Sequence, residues 1–228
     1  MVNVAITGAG RGIGLELVKQ YAVAGDRVFA LCRNPAGAGE LRSIADGSNG
    51  KATVHKFDVA DDASVKTGAA DTGSDRIDVL LNVAGIVGGG DKGLDDQTWS
   101  EWHDALEVMV IGPVRVMQAF LPCMKEGSKV ITITSQLAAS TWPYGGFYAY
   151  AAAKAGVNRV MRSAAIDLKD RGIVVGVVHP GWVQTDMGGP EAEITPQESA
   201  AGIRKVVADW TLDRSGDFLK WNGETHPW

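Results

Sequence analysis

Cysteine is nearly missing from this chain: Cys32 and Cys123 are the only two, and they lie far apart. That excludes a disulfide framework and a thiolate metal pattern, so both are expected as reduced, packed thiols with no metal site. Basic residues are outnumbered, 22 Lys and Arg against 27 Asp and Glu, for a net charge of −5. No basic run occurs, and a nucleic-acid partner, which demands a cationic stripe against phosphate, is not expected. No stretch approaches the ~18 apolar residues of a membrane span. The apolar run Val2–Ile6 also leaves no room for a charged leader before it. The expectation is a cytoplasmic chain with neither a membrane nor a nucleic-acid partner.

What is present suits one compact domain. The 228 residues are 45% apolar and 21% charged, and glycine is plentiful at 29. Apolar, β-branched runs at Val2–Thr7, Arg27–Leu31, Ala52–Phe57, Ile77–Asn82, Lys129–Thr134 and Ile173–His179 read as strands, with a seventh near Phe218–Lys220. Helical patterns fall between them at Gly12–Ala24, Asp61–Ala70, Thr98–Met124, Tyr150–Lys169 and Pro196–Trp210. The last opens on Thr195, Pro196 and Glu198, a capping box with proline at the first helical position. Continuous apolar strands alternating with helices predict a parallel sheet covered on both faces. The fold class is α/β: a single-domain, doubly wound Rossmann sheet of order 3-2-1-4-5-6-7 over residues 1–228, with the substrate pocket built in. Ile86–Gly93 and Gly188–Glu193 read as mobile loops.

In such sheets ligands bind beyond the carboxyl ends of the strands, and the ends here carry chemistry. The first strand runs through Thr7, Gly8, Gly12, Ile13 and Gly14 into a helix, the arrangement that brings a pyrophosphate against backbone N–H groups and a helix amino terminus. About 20 residues on, an NAD site places an acid on the ribose, yet Arg27 through Gly39 contains no Asp or Glu. Arg33, with Arg11 from the glycine loop, suits a 2′-phosphate instead. NADP(H) is therefore favoured, with NAD(H) as the alternative. Asp58, beside Val59, suits the adenine amino group or a helix cap, a task that Asp61 or Asp62 also fits. Small Ala84 and Gly85 admit a flat ring or ribose, and Asn82 either ties strands together or touches cofactor.

Tyr150 and Lys154 are four apart and share a helix face. An ammonium beside a phenol is expected to lower its pKa and make Tyr150 an acid or base near neutrality. Ser135, ending the fifth strand, is placed to donate to a substrate carbonyl and steady a developing alkoxide. Val87, Leu137, Trp142, Tyr144, Phe147, Trp182 and Met187 are expected as pocket walls for bulky apolar or aromatic carbonyl compounds.

Together these landmarks resemble the short-chain dehydrogenase/reductase family over nearly the full length: Thr7-Gly8-x3-Gly12-x-Gly14, Asp58-Val59, Asn82-x-Ala84-Gly85, Ser135, Tyr150-x3-Lys154 and Pro180-Gly181-x3-Thr185. Asp170-Arg171-Gly172, the run His179–Met187 and Pro227-Trp228 are most similar to the sniffer/C-factor-like carbonyl reductases. The resemblance implies Ser135 as the carbonyl-orienting residue, Tyr150 as proton donor, and Lys154 as ribose-binding and relay residue. It further implies nicotinamide contacts from Pro180, Gly181, Val183 and Thr185, and a homodimer or homotetramer built on the long helices. Two departures stand out. Ser135 and Tyr150 lie fifteen apart, longer than usual, which enlarges the pocket rim. Met109 replaces the family's fourth catalytic residue, an asparagine, and methionine cannot hold a relay water by donating to it, so reduced turnover is expected.

Hydride transfer between nicotinamide and a small apolar or aromatic ketone or aldehyde is the function expected. A 3-oxoacyl-thioester reductase shares the same residues but needs a cationic patch for its carrier. A nucleotide-sugar epimerase needs a larger substrate domain. A cofactor-binding regulatory protein with weak or no catalysis gains support from Met109.

Overall fold

Short apolar strands separated by helices have one economical solution, a parallel sheet buried between two helical layers. The computed structural model describes residues 1–74 and 76–228. Seven strands, β1 (Asn3–Thr7), β2 (Arg27–Cys32), β3 (Ala52–Lys56), β4 (Val79–Asn82), β5 (Lys129–Ile133), β6 (Val174–His179) and β7 (Phe218–Lys220), form one sheet. Its order is β3-β2-β1-β4-β5-β6-β7, parallel throughout. Each expected strand lies within two residues of its observed bounds, and the order is the expected one.

Alternation along the strands sorts the core. Val4 and Ile6 of β1 face α1 (Gly12–Val23) and α7 (Pro196–Asp209), where Leu17, Val18, Ile203 and Val207 are fully or nearly fully buried. Ala5 faces the opposite layer, α3 (Asp62–Asp71), α5 (Gly112–Phe120) and α6 (Tyr148–Asp167), with Val65, Val116, Phe120, Val157 and Met161. The Thr195 capping box on α7 forms as expected.

Three expectations need correcting. α2 (Gly39–Gly47) lies between β2 and β3, where no helix was expected; it is a short helix that buries Leu41 and packs Ile44 and Ala45 against the core. The single helix expected over Thr98–Met124 is α4 (Trp99–Leu106), a π-turn (Glu107–Ile111), α5 and a 3-10 turn (Leu121–Cys123). Pro113 explains the π-turn: it has no N–H for the Met109 carbonyl, and its ring crowds that carbonyl. The Gly112 N–H accordingly donates to Glu107 five residues back. Finally, Trp99–Cys123 has the length of a membrane span, and an 18-residue window within its 25 residues has a mean hydropathy of 1.4. Part of its apolar surface packs on the sheet, where Val116, Met117 and Phe120 are buried, while Leu106 and Ile111 stay exposed.

The strand order reverses between β1 and β4, and Thr7 ties the two ends together. Its hydroxyl donates to Leu81 at 3.4 Å and accepts from Val83 and Ala84 at 3.0 and 3.2 Å. In the next pairing Asn82 stands opposite Thr132, so the Ser135 turn lies beside this crevice.

Candidate active site

The glycine loop is shaped by close approach. Gly8 has φ +67° and packs so tightly on the β4 exit that a Cβ would lie 2.8 Å from Ala84 Cα. A side chain at Gly14 would run into the Gly8 carbonyl. The helix that follows is uncapped, because Arg11 makes no side-chain cap and the first turn holds no acid. By contrast, α3 and α7 are capped by Asp61 and Thr195. The free N–H groups of α1, including those around Gly12 and Ile13, thus face the crevice with the positive end of the dipole.

Around this loop the expected cofactor contacts divide. Thr185 does reach it: a Cβ on Gly12 would be 3.4 Å from Thr185 Cγ2. Val183 is buried and bridges to Ile194, while the Pro180 carbonyl accepts from Ser199, so the Pro180–Thr185 segment is braced from behind. Gly181 holds φ +89°. Arg33 is exposed just beyond β2. Arg11 points instead to Asp186, 3.4 Å away, an exposed pair that a ligand anion can displace cheaply. Asp58 closes its own turn by accepting from Ala60 at 3.0 Å, and Asp61 caps α3. The Val59 side chain enters the core, and its carbonyl accepts from Arg115. Asn82 donates to Thr132 at 3.3 Å and so joins β4 to β5, but its Oδ1 is buried without a partner.

Ser135, Tyr150 and Lys154 come together at the carboxyl end of β5. The Ser135 hydroxyl accepts from the Leu137 N–H at 3.2 Å and keeps its own proton to donate. Phe147, in the left-handed region at φ 51°, turns the chain into α6. Ala149, Ala153, Lys154 and Val157 form the buried face of that helix. Lys154 donates to the Ile133 carbonyl at 2.8 Å, and its ammonium lies 5.7 Å from the Tyr150 ring centroid.

The electrostatics differ from the sequence expectation. Burial pushes the Tyr150 phenol up, while the adjacent Ser135 hydroxyl works the other way. Burial lowers Lys154 to about 8. Desolvation disfavours the charged form of each group, and here it outweighs the attraction assumed from spacing alone. The phenol is therefore held protonated.

Met109 is buried against Ala105, Ala149 and Ala153. A side chain at Gly85 would stand 3.6 Å from the Met109 sulfur and 3.8 Å from Lys154 Nζ, so sulfur and ammonium flank the same small residue.

The expected walls are largely open. Tyr144, Trp182, Met187 and Val87 are exposed, Trp142 packs edge-on to Tyr144 at 5.4 Å, and Phe147 packs edge-on to Tyr150 at 6.5 Å. Trp182 is fixed by donating to the Gly188 carbonyl. The Ile86–Gly93 loop is latched: Lys92 bonds both Glu101 oxygens at 2.6 and 2.8 Å. Two surface clefts of about 340 and 410 Å³ lie elsewhere, beside Trp210 and Trp221 and beside Arg162 and Asp213. They contain none of these groups. The spacing of Tyr150 and Lys154 gave no hint of the Ile133 carbonyl, nor of a contact from His179 to Gln136, because both depend on strand neighbours.

The sequence model of the family described as short chain dehydrogenase matches residues 2–195. C-signal of Myxococcus xanthus is 39% identical over 157 residues, 67% of this chain and 93% of that protein. NADPH-bound carbonyl reductase from chicken fatty liver superposes with TM-score 0.92 at 31% identity, covering 100% of this chain and 99% of that one. The carbonyl reductase Sniffer of Drosophila melanogaster superposes with TM-score 0.93 at 28% identity, covering 100% of both.

Proposed function

The chain belongs to the short chain dehydrogenase family, and from that premise we propose that it is an NADP(H)-dependent carbonyl reductase acting on small apolar or aromatic ketones and aldehydes. The observation that carries the reading is the meeting of Ser135, Tyr150 and Lys154 beside the β1–β4 crevice. The residues fit a dinucleotide: Gly8 and Gly14 leave a cradle that a Cβ would fill, and α1 offers uncapped N–H groups. Gly12, Ile13, Ala84, Gly85 and the Pro180–Thr185 segment would line it, Arg33 would take a 2′-phosphate, and Asp58 the adenine amino group. When bound, the nicotinamide supplies or accepts the hydride.

The chain's own groups manage the oxygen and the proton. Ser135 donates to the carbonyl oxygen and orients it. Tyr150 then gives its proton to the developing alkoxide. The protonated phenol is the form that reduction near neutrality needs, and burial makes it a weaker acid, so the Ser135 hydroxyl beside it must favour the proton's departure. Lys154, weakened as an ammonium, hands on a proton readily and is placed for the ribose hydroxyls. The rim of half-buried Trp142 and exposed Tyr144 and Trp182 admits flat or bulky apolar substrates. The test is loss of NADPH absorbance across a panel of aldehydes and ketones. Turnover with aromatic carbonyls supports the reading, and no turnover with any member sinks it.

A second reading rests on Met109, whose sulfur lies where the relay asparagine is expected. It is a cofactor-binding regulatory protein with weak or no catalysis, selected by NADPH binding in fluorescence without turnover on that panel. In either case we place the chain in the cytoplasm, where free Cys32 and Cys123 stay reduced. We also propose a homodimer or homotetramer through the α4–α6 side, where Trp99, Ile111 and Ile166 are exposed. Light scattering behind a sizing column measures the state, and a monomer at micromolar concentration rejects it.

A further inference from the structure

The turn that begins at Ser135 is held from a direction the reaction does not explain. Immediately after Ser135, the Gln136 N–H donates to Nδ1 of His179 at 3.2 Å. His179 is the last residue of β6 and is buried. To accept at Nδ1, its ring must carry its proton on Nε2. Behind it stands His226, edge-on at 5.5 Å, which itself stacks on Phe218 at 4.4 Å. His226 Nδ1 faces the Pro227 carbonyl at 2.8 Å, an oxygen that only accepts, so that nitrogen is the donor.

The segment 224–228 folds back along β7 to make this backing. The His226 N–H donates to the Phe218 carbonyl, Thr225 bridges Leu219, and Trp228 packs edge-on to Phe218 at 5.8 Å. The Trp228 carbonyl accepts from both the N–H and the hydroxyl of Ser140, each at 3.2 Å. The backbone after Ser135 is therefore gripped at two points, Gln136 and Ser140. One grip is made by His179 and the other by the segment that backs it.

We propose that His179 is a positioning residue: its Nδ1 fixes the Gln136 main chain and so aims the Ser135 hydroxyl, with residues 224–228 as its support. This rests on reading Ser135 as the carbonyl-orienting hydroxyl. A protonated ring would present an N–H to an N–H, and the bond would be lost. The titratable and charged groups around the ring are His226 from the terminal segment and Lys220 from β7, itself paired with Glu224 at 2.8 Å. Across the Ser135 turn stand Tyr150 and Lys154 of α6. Burial first, then His226 and Lys220, keep the ring neutral down to about pH 4, so the acceptor persists over the whole physiological range.

The experiment compares His179→Leu, which fills the space without an acceptor, with His179→Asn, whose Oδ1 stands where Nδ1 does. With NADPH and a carbonyl substrate of the panel, His179→Leu is expected to lose ~10–100-fold in kcat, the scale of a misplaced reacting group, with NADPH affinity unchanged. His179→Asn is expected to recover most of that loss. In a Ser135→Ala background His179→Leu should cost nothing further, because it acts only through Ser135. Equal kcat in His179→Leu and wild type, or two losses that add, would overturn the proposal. Hydrogen exchange at the Gln136 amide gives a readout independent of turnover, expected to be fast in His179→Leu and slow in wild type and His179→Asn. Should the wild type turn over nothing, the carbonyl-reductase reading falls while this exchange still decides whether His179 holds the turn. Unchanged protection in His179→Leu rejects it.

Discussion

Lys154 donates to the carbonyl of Ile133 at 2.8 Å while its ammonium stands 5.7 Å from the centroid of the Tyr150 ring. A helix residue thus reaches across the interlayer to the last residue of β5 and anchors the face that carries the phenol. The two groups are pushed toward their neutral forms together, Lys154 to about 8 and Tyr150 upward, by the same lack of water. Neutralisation by burial suits proton transfer and costs stability.

That cost has a sign and a window. The unfolded chain binds the Lys154 proton up to about 10.5 and the folded chain only to about 8. Stability should therefore rise between those values as pH increases, by up to about 3 kcal/mol. Above 10 the raised phenols of Tyr150 and Tyr21 oppose it, since the folded state keeps their protons longer. Lys154→Met is expected to be more stable by about 1–2 kcal/mol at pH 7, to lose the alkaline rise, and to lose turnover. Urea unfolding at pH 7 and pH 9.5 measures this; a less stable variant at pH 7 contradicts it.

At the acid end, His179 titrates at about 4 folded and 6.5 unfolded. Its contribution is complete above 6.5 and disappears as pH falls toward 4, again about 3 kcal/mol at most. His179→Asn should flatten that limb of the stability curve. Melting temperatures from pH 4 to 7 provide the comparison, and parallel curves for variant and wild type count against it.

Tyr150→Phe removes the proton donor and little else. The expected loss in kcat is ~10²–10⁴, with NADPH affinity retained by the glycine loop. Stopped-flow and fluorescence titration separate the two, and a variant as fast as wild type would leave only a nucleotide-binding fold.

Met109→Asn should raise turnover by restoring a donor near Lys154, and lower stability by about 1–3 kcal/mol because the site is apolar. The opposite movement of kcat and Tm is the signature. A stability loss with no gain in rate at any pH removes Met109 from the account.

Arg33→Ala tests the cofactor preference. If Arg33 grips a 2′-phosphate, kcat/KM for NADPH falls ~10–100-fold, the worth of a charge-assisted bond, while that for NADH scarcely changes. Equal losses for both cofactors reject the assignment.

Much of the site was legible along the chain because it is written in local patterns. Gly8 and Gly14 between a strand and a helix, the one-turn spacing of Tyr150 and Lys154, and the capping box at Thr195 each need only neighbouring residues. The parallel sheet followed from the alternation of apolar strands with helices. The broken helix was less visible: Pro113 was in plain sight, but the widened turn at Met109 depends on how the following helix seats on the sheet. α2 was missed although Leu41, Ile44 and Ala45 mark an apolar face, because the helix is only 9 residues long.

The sequence by itself therefore determined the strands, most of the helices and the chemical types gathered at the strand ends, since strand and helix periods and glycine sterics act within a few residues. Tertiary structure alone decided what those groups are worth. The Ile133 carbonyl beneath Lys154, the burial that raises Tyr150, and the His179–Gln136 bond backed by His226 join residues from separate strands and the terminal segment. Desolvation and acceptor geometry are properties of that packing, and no spacing along the chain encodes them.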